Sequence, residues 1–400
     1  MLVLLKFLSR YDALGPFRLM GSHLFLLCVG AMLAALGVWR FLPKVWHRLP
    51  RDRGKELVAD GNASAGKPTG AGFYLLLLTL PALALVLPFA FPGIDEAETF
   101  ADLAVSIRRA ARDPSSWYLF VNPQWGVVGC LFAAMLTGYL DDKAAKPWSR
   151  MRKGLLDLAV ALATALFLSR LQDVTIWVPL TKHAITLHWA AYTLLAVPIL
   201  WFTMNATNCS DGVDGLAGTL TLVSLLGMAG FLYGVVGHRT VAAYLLVPHN
   251  PEGARWAILC ATFAGATAGY LWYNAYPSQV LMGDAGSRAL GLLVGVAALA
   301  SGNPLFVLVV APVALVNGGT GLFKIAFLQG LARLGFDTGA APGPGAHPCW
   351  AARQLRSVRF PLHDECKRNL RWSNPQVLMR FFLLQLGLMP ILFLLFVKIR

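Results

Sequence analysis

Charge is what this chain lacks. Asp, Glu, Lys and Arg make up 14% of its 400 residues, and 57% are hydrophobic; an ordinary soluble domain is about a quarter charged. That shortage excludes a water-soluble globule, because so much apolar surface could not be hidden beneath so little polar covering. Acid is the scarcer sign, with 20 Asp and Glu against 34 Lys and Arg and a formal charge of +14. The six cysteines (Cys28, Cys130, Cys209, Cys260, Cys349 and Cys366) are scattered, several of them inside apolar runs, which excludes a disulfide framework. A cleavable leader is not expected, because Ser9, Arg10, Tyr11 and Asp12 interrupt the apolar Met1–Leu8 early. The basic excess does not call for nucleic acid. It sits mostly in loops between apolar runs, where anionic headgroups, the positive-inside bias and anionic substrates account for it.

What is present is a series of apolar runs at about 22–42, 72–92, 118–140, 154–170, 185–204, 216–236, 254–275, 288–302, 304–328 and 378–398. With about 20 residues needed per span, these predict an all-α polytopic integral membrane protein of about ten transmembrane helices. The runs predict one membrane domain over 1–400, with an N-terminal segment 1–20 and a long loop 331–377 before the last helix. Asn303-Pro304 predicts a tight turn between the eighth and ninth runs, because proline interrupts helical hydrogen bonding. Lys and Arg concentrate in the odd-numbered loops, which predicts that those loops are cytoplasmic and both termini periplasmic. Lys6, Arg10 and Arg18 pull mildly the other way.

In that topology the unusual polar groups share one side. Asp141-Asp142 closes the third run, Asn205–Ala217 separates the fifth from the sixth, and Gly283-Asp284 follows the seventh. The basic, His-containing Arg353–Trp372 precedes the tenth. Asn205, Asn208, Asp211 and Asp214 recur at every third position, and such groups are costly beside lipid. A helix cap at Ser210 or Asp211, for a helix starting near Val213, would explain one or two of them but not all four. Asp141 and Asp142 point about 100° apart on a helix, so they cannot serve one partner equally. Lys143, Lys146, Arg150, Arg152 and Lys153 follow at once, a concentration suited to phosphate. Asp284 stands in a Gly-rich turn and is suited to Mg²⁺, which takes one or two carboxylates plus substrate phosphates; Asp and Ser there could equally cap the following helix. His347-x-Cys349 and His363-x-x-Cys366 fit no common zinc module. An ion-coupled transporter would carry its acids at the membrane midplane. Here they lie at helix ends, apart from Asp157 inside the fourth run, which the pattern leaves unexplained.

Taken together, Gly138-Tyr139-Leu140-Asp141-Asp142, Asn205–Ala217, Asn274-Ala275-Tyr276-Pro277 leading into Val280–Gly291, and Trp372-Ser373-Asn374-Pro375-Gln376-Val377 resemble the bacterial phospho-N-acetylmuramoyl-pentapeptide transferases. These belong to the polyprenyl-phosphate HexNAc-1-phosphate transferase superfamily. The resemblance runs from about Pro68 to the C-terminus, with its motifs in the family's order. It implies a multi-pass protein of the bacterial inner membrane whose active site faces the cytoplasm. It also implies Mg²⁺ as cofactor, UDP-MurNAc-pentapeptide and undecaprenyl phosphate as substrates, and lipid I and UMP as products, with a homodimer left open. By motif, Asp141, Asp142 and Asp284 would be catalytic, one of the first two deprotonating the lipid phosphate, and Asp284 and Asp211 would face the metal. Thr69, Lys146, Asn205, Asn208, Asp211, Asp214, Asn274 and His363 would bind substrate. The sequence departs from the family pattern at three places. His363-Asp364-Glu365 replaces three histidines, Leu281 replaces an aromatic before Met-Gly-Asp, and Lys67 abuts Pro68-Thr69 instead of standing a few residues earlier. A sibling enzyme moving GlcNAc-1-phosphate to a polyprenyl phosphate is the nearest alternative.

Overall fold

The computed structural model describes residues 21–52, 64–87, 122–144, 148–179, 183–337 and 350–397, together with 19, 105, 108, 146 and 347–348. All ten apolar runs contain helix within these residues: His23–Val45, Gly72–Val86, Pro123–Lys143, Arg150–Ser169, Trp189–Cys209, Leu216–Phe231, Gly253–Asn274, Gly283–Ala300, Pro312–Arg333 and Asn374–Val397. Among the described residues, five helices are long and apolar enough to cross a membrane, or six if the bent pair Pro304–Val310 and Pro312–Arg333 is one span. The protein is therefore a multi-span membrane protein. The helix Gly283–Ala300 lies at its centre, buried along nearly its whole length, whereas Asn374–Val397 fully buries only Val377, Phe381, Gln385 and Val397 and packs Phe393 on Phe231 and Phe306.

Small residues let the helices approach closely. A Cβ added at Gly265 would lie 2.0 Å from the Ala31 carbonyl, and one at Gly318 would lie 1.9 Å from that of Ala206. In lipid, where tails are as apolar as leucine, such backbone-to-backbone contacts supply the packing that water would otherwise drive.

Several boundaries differ from the pattern-based expectation. The fifth run does not begin as helix: Ala184–Leu187 is a strand paired antiparallel with Val174–Trp177, and the helix starts at Trp189 and continues to Cys209. Both strands are rich in β-branched residues, Val174-Thr175-Ile176 and Ile185-Thr186, which apolar length alone does not distinguish from helix. The ninth run is broken. A short helix Val307–Val310 turns by 107° into Pro312–Arg333, with Ala311 at the break and Pro312 unable to carry on the hydrogen bonding. Gln385 of the last helix repairs the break, accepting from Val313 N at 3.2 Å and donating to the Val310 carbonyl at 3.1 Å. The turn at Asn303-Pro304 is present, with the Asn303 side chain accepting from Leu305 N. The long loop before the last helix carries two helices of its own, Trp350–Ser357 and Leu362–Arg368, and the last helix starts earlier, at Asn374. Residues 1–18, Cys349 and most of the Gly335–His347 connection lie outside the described residues.

The bundle has two chemically different ends. At one end, Arg170 pairs with Glu252, which also accepts from Gln124, and Trp177 donates its indole N–H to the Ser301 carbonyl. At the other, the C-termini of Pro123–Lys143, Trp189–Cys209 and Gly253–Asn274 meet the N-termini of Arg150–Ser169, Leu216–Phe231 and Gly283–Ala300.

Candidate active site

The acids gather at that second end. Asp142, in the last turn of its helix, accepts from Asp284 N at 3.2 Å and Ala285 N at 3.3 Å. It therefore caps the N-terminus of Gly283–Ala300, where unpaired amides and the helix dipole favour an anion. Asp284 is the second residue of that helix and does not cap it, since the N-cap position is Met282 and makes no side-chain cap. The approach depends on two glycines. A Cβ at Gly138 would lie 2.5 Å from the Asp284 carbonyl, and Gly283, at φ 71°, would place one 2.4 Å from Asp142 Oδ2.

Two cations are threaded among the acids. Lys153 pairs with Asp141 and, at 3.2 Å, with Asp284 Oδ2. Arg288 reaches the same Asp284 oxygen at 2.8 Å and Asp157 Oδ1 at 3.3 Å. Asp141 also accepts from Trp148 N at 2.8 Å. Asp157, unexplained by the sequence pattern, is thus the buried counter-ion of Arg288. Three carboxylates share two cations here, with Asp142 beside them on backbone amides, and the donors are hard oxygens without thiol or imidazole. That excess of negative charge near lipid fits a divalent cation such as Mg²⁺. Among the described residues, no three His, Cys, Asp or Glu side chains form a metal-binding group.

A second group continues the rim. Lys67 donates to Ser278 Oγ at 3.0 Å and lies 3.8 Å from Asp214, which accepts from Ser278 N at 3.0 Å. Asn274 accepts from Gly215 N at 2.8 Å and donates to the Val280 carbonyl at 2.8 Å. Residues 68–72 run beside the 281–282 turn: Leu281 N donates to the Pro68 carbonyl at 2.8 Å, and Ala71 N to the Leu281 carbonyl at 3.0 Å. This pairing sets Thr69 next to Gly70, whose added Cβ would touch Asp142 Oδ2 at 3.3 Å. Lys67, although displaced in sequence from the family position, is thereby part of the site.

The third group is built on His363. Its ring is buried, its backbone N–H donates to Asn317 Oδ1 at 2.9 Å, and its Nδ1 lies 3.2 Å from the same amide. A Cβ at Gly212 would fall 2.3 Å from His363 Nε2, so glycine is needed for the histidine to rest on the Asp211–Asp214 turn. Asp364 Oδ1 is 3.6 Å from His363 Nε2, while Glu365 accepts from Arg359 N at 2.7 Å and from Asn369. Those hydrogen bonds to its charged form hold the Glu365 carboxyl below the usual carboxylate range. Of the two acids that replace histidines, Glu365 therefore ties its helix to Arg359 before it and Asn369 at its end.

The Asn205–Ala217 stretch is not a capping segment. Asn205 and Asn208 end the helix Trp189–Cys209, Ser210 closes it, and the next helix starts at Leu216 after Gly215 with no side-chain cap. Ser210 is buried, donating to the Ala206 carbonyl at 3.0 Å and accepting from Asn317 at 3.0 Å. Asn208 Oδ1 lies 3.0 Å from Ser287 Oγ on the central helix, whereas the Asn205 amide donates back to the Trp201 carbonyl at 2.9 Å. Asp211 lies on the turn, its N–H donating to the Asn208 carbonyl at 3.2 Å. Lys146 is exposed on the loop after Asp142, and the lysine brought among the carboxylates is Lys153, one helical turn into the next helix. Sequence reasoning grouped Lys153 with its basic neighbours and missed Arg288 and Asn317 as site residues. The i, i+4 spacing of Asp284 and Arg288 was the available signal for the arginine.

A family model described as glycosyl transferase family 4 matches residues 124–302, the stretch that carries all four carboxylates of the cluster. Phospho-N-acetylmuramoyl-pentapeptide-transferases from two strains of Treponema pallidum are each 38% identical over 98% of this chain and 96% of their own. The chain belongs to the phospho-N-acetylmuramoyl-pentapeptide-transferase family. A member from Desulfatibacillum aliphaticivorans is 29% identical over 66% of this chain and 70% of its own. Membership of this family makes the protein a transferase, and the carboxylate end of the bundle is its candidate active site.

Proposed function

We propose that the protein transfers phospho-MurNAc-pentapeptide from UDP-MurNAc-pentapeptide to undecaprenyl phosphate, giving lipid I and UMP for peptidoglycan synthesis, at the cytoplasmic face of the inner membrane. The observation that carries this reading is the joining of Asp141, Asp142 and Asp284 by Lys153 and backbone amides at one end of the bundle, in a chain of this family. A phosphate oxygen of the lipid attacks the sugar-bearing phosphorus of the nucleotide, the bond to the bridging oxygen breaks, and UMP leaves. Both reactants are anions, and one is anchored in the bilayer. The reaction therefore needs cations and fixed dipoles at the membrane surface, where water is scarce.

Asp284, with Asp211 across the rim, would hold Mg²⁺, which when bound neutralises charge on the diphosphate. Lys153 and Lys67 would draw the phosphates into line, and either Asp141 or Asp142 would accept the proton from the lipid phosphate. Asp214, Asn274 and Asn208 would form the nucleoside wall with Thr69, and His363 would face the sugar phosphate. In this reading the ten helices all cross the bilayer, with both termini periplasmic.

The test is UMP release by purified protein with Mg²⁺, UDP-MurNAc-pentapeptide and undecaprenyl phosphate. Turnover of UDP-GlcNAc in its place would assign the protein to the sibling HexNAc-1-phosphate transferases.

A further inference from the structure

Four side chains on two facing helices form an alternating square of charge. Lys153 and Asp157 are one turn apart on Arg150–Ser169, and Asp284 and Arg288 are one turn apart on Gly283–Ala300. Lys153 faces Asp284 at 3.2 Å, Asp157 faces Arg288 at 3.3 Å, and Arg288 closes the square to Asp284 at 2.8 Å. Arg288 is 1% exposed and Asp157 0%, so this pair is far better shielded than Asp284, whose side chain is 24% exposed. Burying an arginine so completely is expensive, and an apolar pair of similar volume would hold the two helices together at least as well. The cost needs a return beyond packing.

We propose that Arg288, oriented by Asp157, is a positioning residue that fixes the Asp284 carboxylate and sets how tightly it holds a divalent cation. This rests on the assignment of Asp284 to the metal in the proposed function. Both Lys153 and Arg288 lie on the same carboxylate oxygen, Oδ2. Asp284 would therefore hold an incoming ion against the field of two neighbouring positive charges. The guanidinium fork, held at one end by Asp157 and at the other by Asp284, allows the carboxylate one orientation. A rigid carboxylate with moderated affinity suits an ion that must hold a diphosphate and then let a nucleotide leave. Arg288 acts through Asp284 and has no contact with substrate in this role.

Opposite changes in metal affinity and turnover would distinguish this from packing. In the paired variant Arg288→Met with Asp157→Leu, which leaves no buried charge unpaired, Mn²⁺ binding measured by electron paramagnetic resonance without substrate should tighten at least about threefold, because the nearer cation is gone. In the same variant kcat should fall at least about tenfold as Asp284 loses its fixed orientation. Mn²⁺ affinity and kcat both within about twofold of the unaltered protein would overturn the proposal, and so would weaker Mn²⁺ binding in a folded variant. Arg288→Lys covers the case in which the apolar pair does not fold. It retains the charge but loses the two-armed bridge, and should lower kcat at least about tenfold while KM for the UDP-sugar stays within about twofold; unaltered kcat would overturn the inference. An unaltered protein that turns over but binds no Mn²⁺ would instead remove Asp284 from the metal, and this inference with it.

Discussion

At the residue scale, Asp284 shows why a substitution must be chosen from the structure. Replacing it with alanine would leave Lys153 and Arg288 facing a buried gap, and breaking a buried pair from one side costs roughly 3–5 kcal/mol. Asp284→Asn keeps the shape and one acceptor oxygen. Because Lys153 keeps Asp141 and Arg288 keeps Asp157, it should lower the thermal midpoint of the detergent-purified protein less than the alanine does and cut kcat by about 10²-fold or more, as loss of a preorganised electrostatic partner does. Retention of more than a tenth of the turnover would remove Asp284 from the chemistry. Glu365 offers a test by pH. Its carboxyl is held low in the fold by the Arg359 amide and Asn369, so its contribution is present above the ordinary carboxylate range and disappears as pH falls through the depressed value. Limited proteolysis should therefore cut the 350–372 segment faster on acidification. Glu365→Gln should already be cut faster at neutral pH and should lose that acid step.

At the scale of elements, the helices of the site are aligned by glycines at their crossings. Gly265 packs on the Ala31 carbonyl in the middle of its helix, whereas Gly138 packs on the backbone of Asp284 itself. Both substitutions to alanine should destabilise by about 1–3 kcal/mol through overpacking. Only Gly138→Ala should also depress kcat in the folded fraction, because it pushes the third helix, with Asp141 and Asp142, away from the Asp284 turn. Equal activity per folded molecule in the two variants would count against the close approach of these helix ends as a catalytic requirement. The broken ninth run carries a related lesson. Pro312 was visible in the sequence, but a proline at the first position of a helix is also where that residue is best tolerated. Whether the chain bends by 107° there depends on Gln385, from a helix 72 residues on, supplying partners for the freed backbone groups.

At the scale of the molecule, alternate helix ends collect the acids on one side and the Val174–Leu187 hairpin on the other. Arg150 and Thr186 are both exposed and belong to opposite ends. Single cysteines at these two positions, in a background with the native cysteines removed, should react with an impermeant maleimide from opposite faces of sealed vesicles. Arg150→Cys is expected to label only from the cytoplasmic side; labelling of both from one side would defeat the proposed orientation.

The sequence by itself determined that this is a multi-span helical membrane protein, and that Asp141, Asp142 and Asp284, with the Asn205–Ala217 stretch and His363, lie in segments between or at the ends of apolar runs. Hydrophobic length and the cost of charge in lipid are local properties, and both can be counted along the chain. Only the tertiary structure decided which charges meet. It made Asp142 the cap of a helix 142 residues away, assigned Asp157 to Arg288, chose Lys153 over Lys146, and brought Lys67 to Asp214 and Ser278. Pairings of this kind depend on the rotation and crossing of helices far apart in the chain. That geometry is set by contacts such as Gly138 on Asp284 and Gly212 on His363, which no periodicity within one helix records.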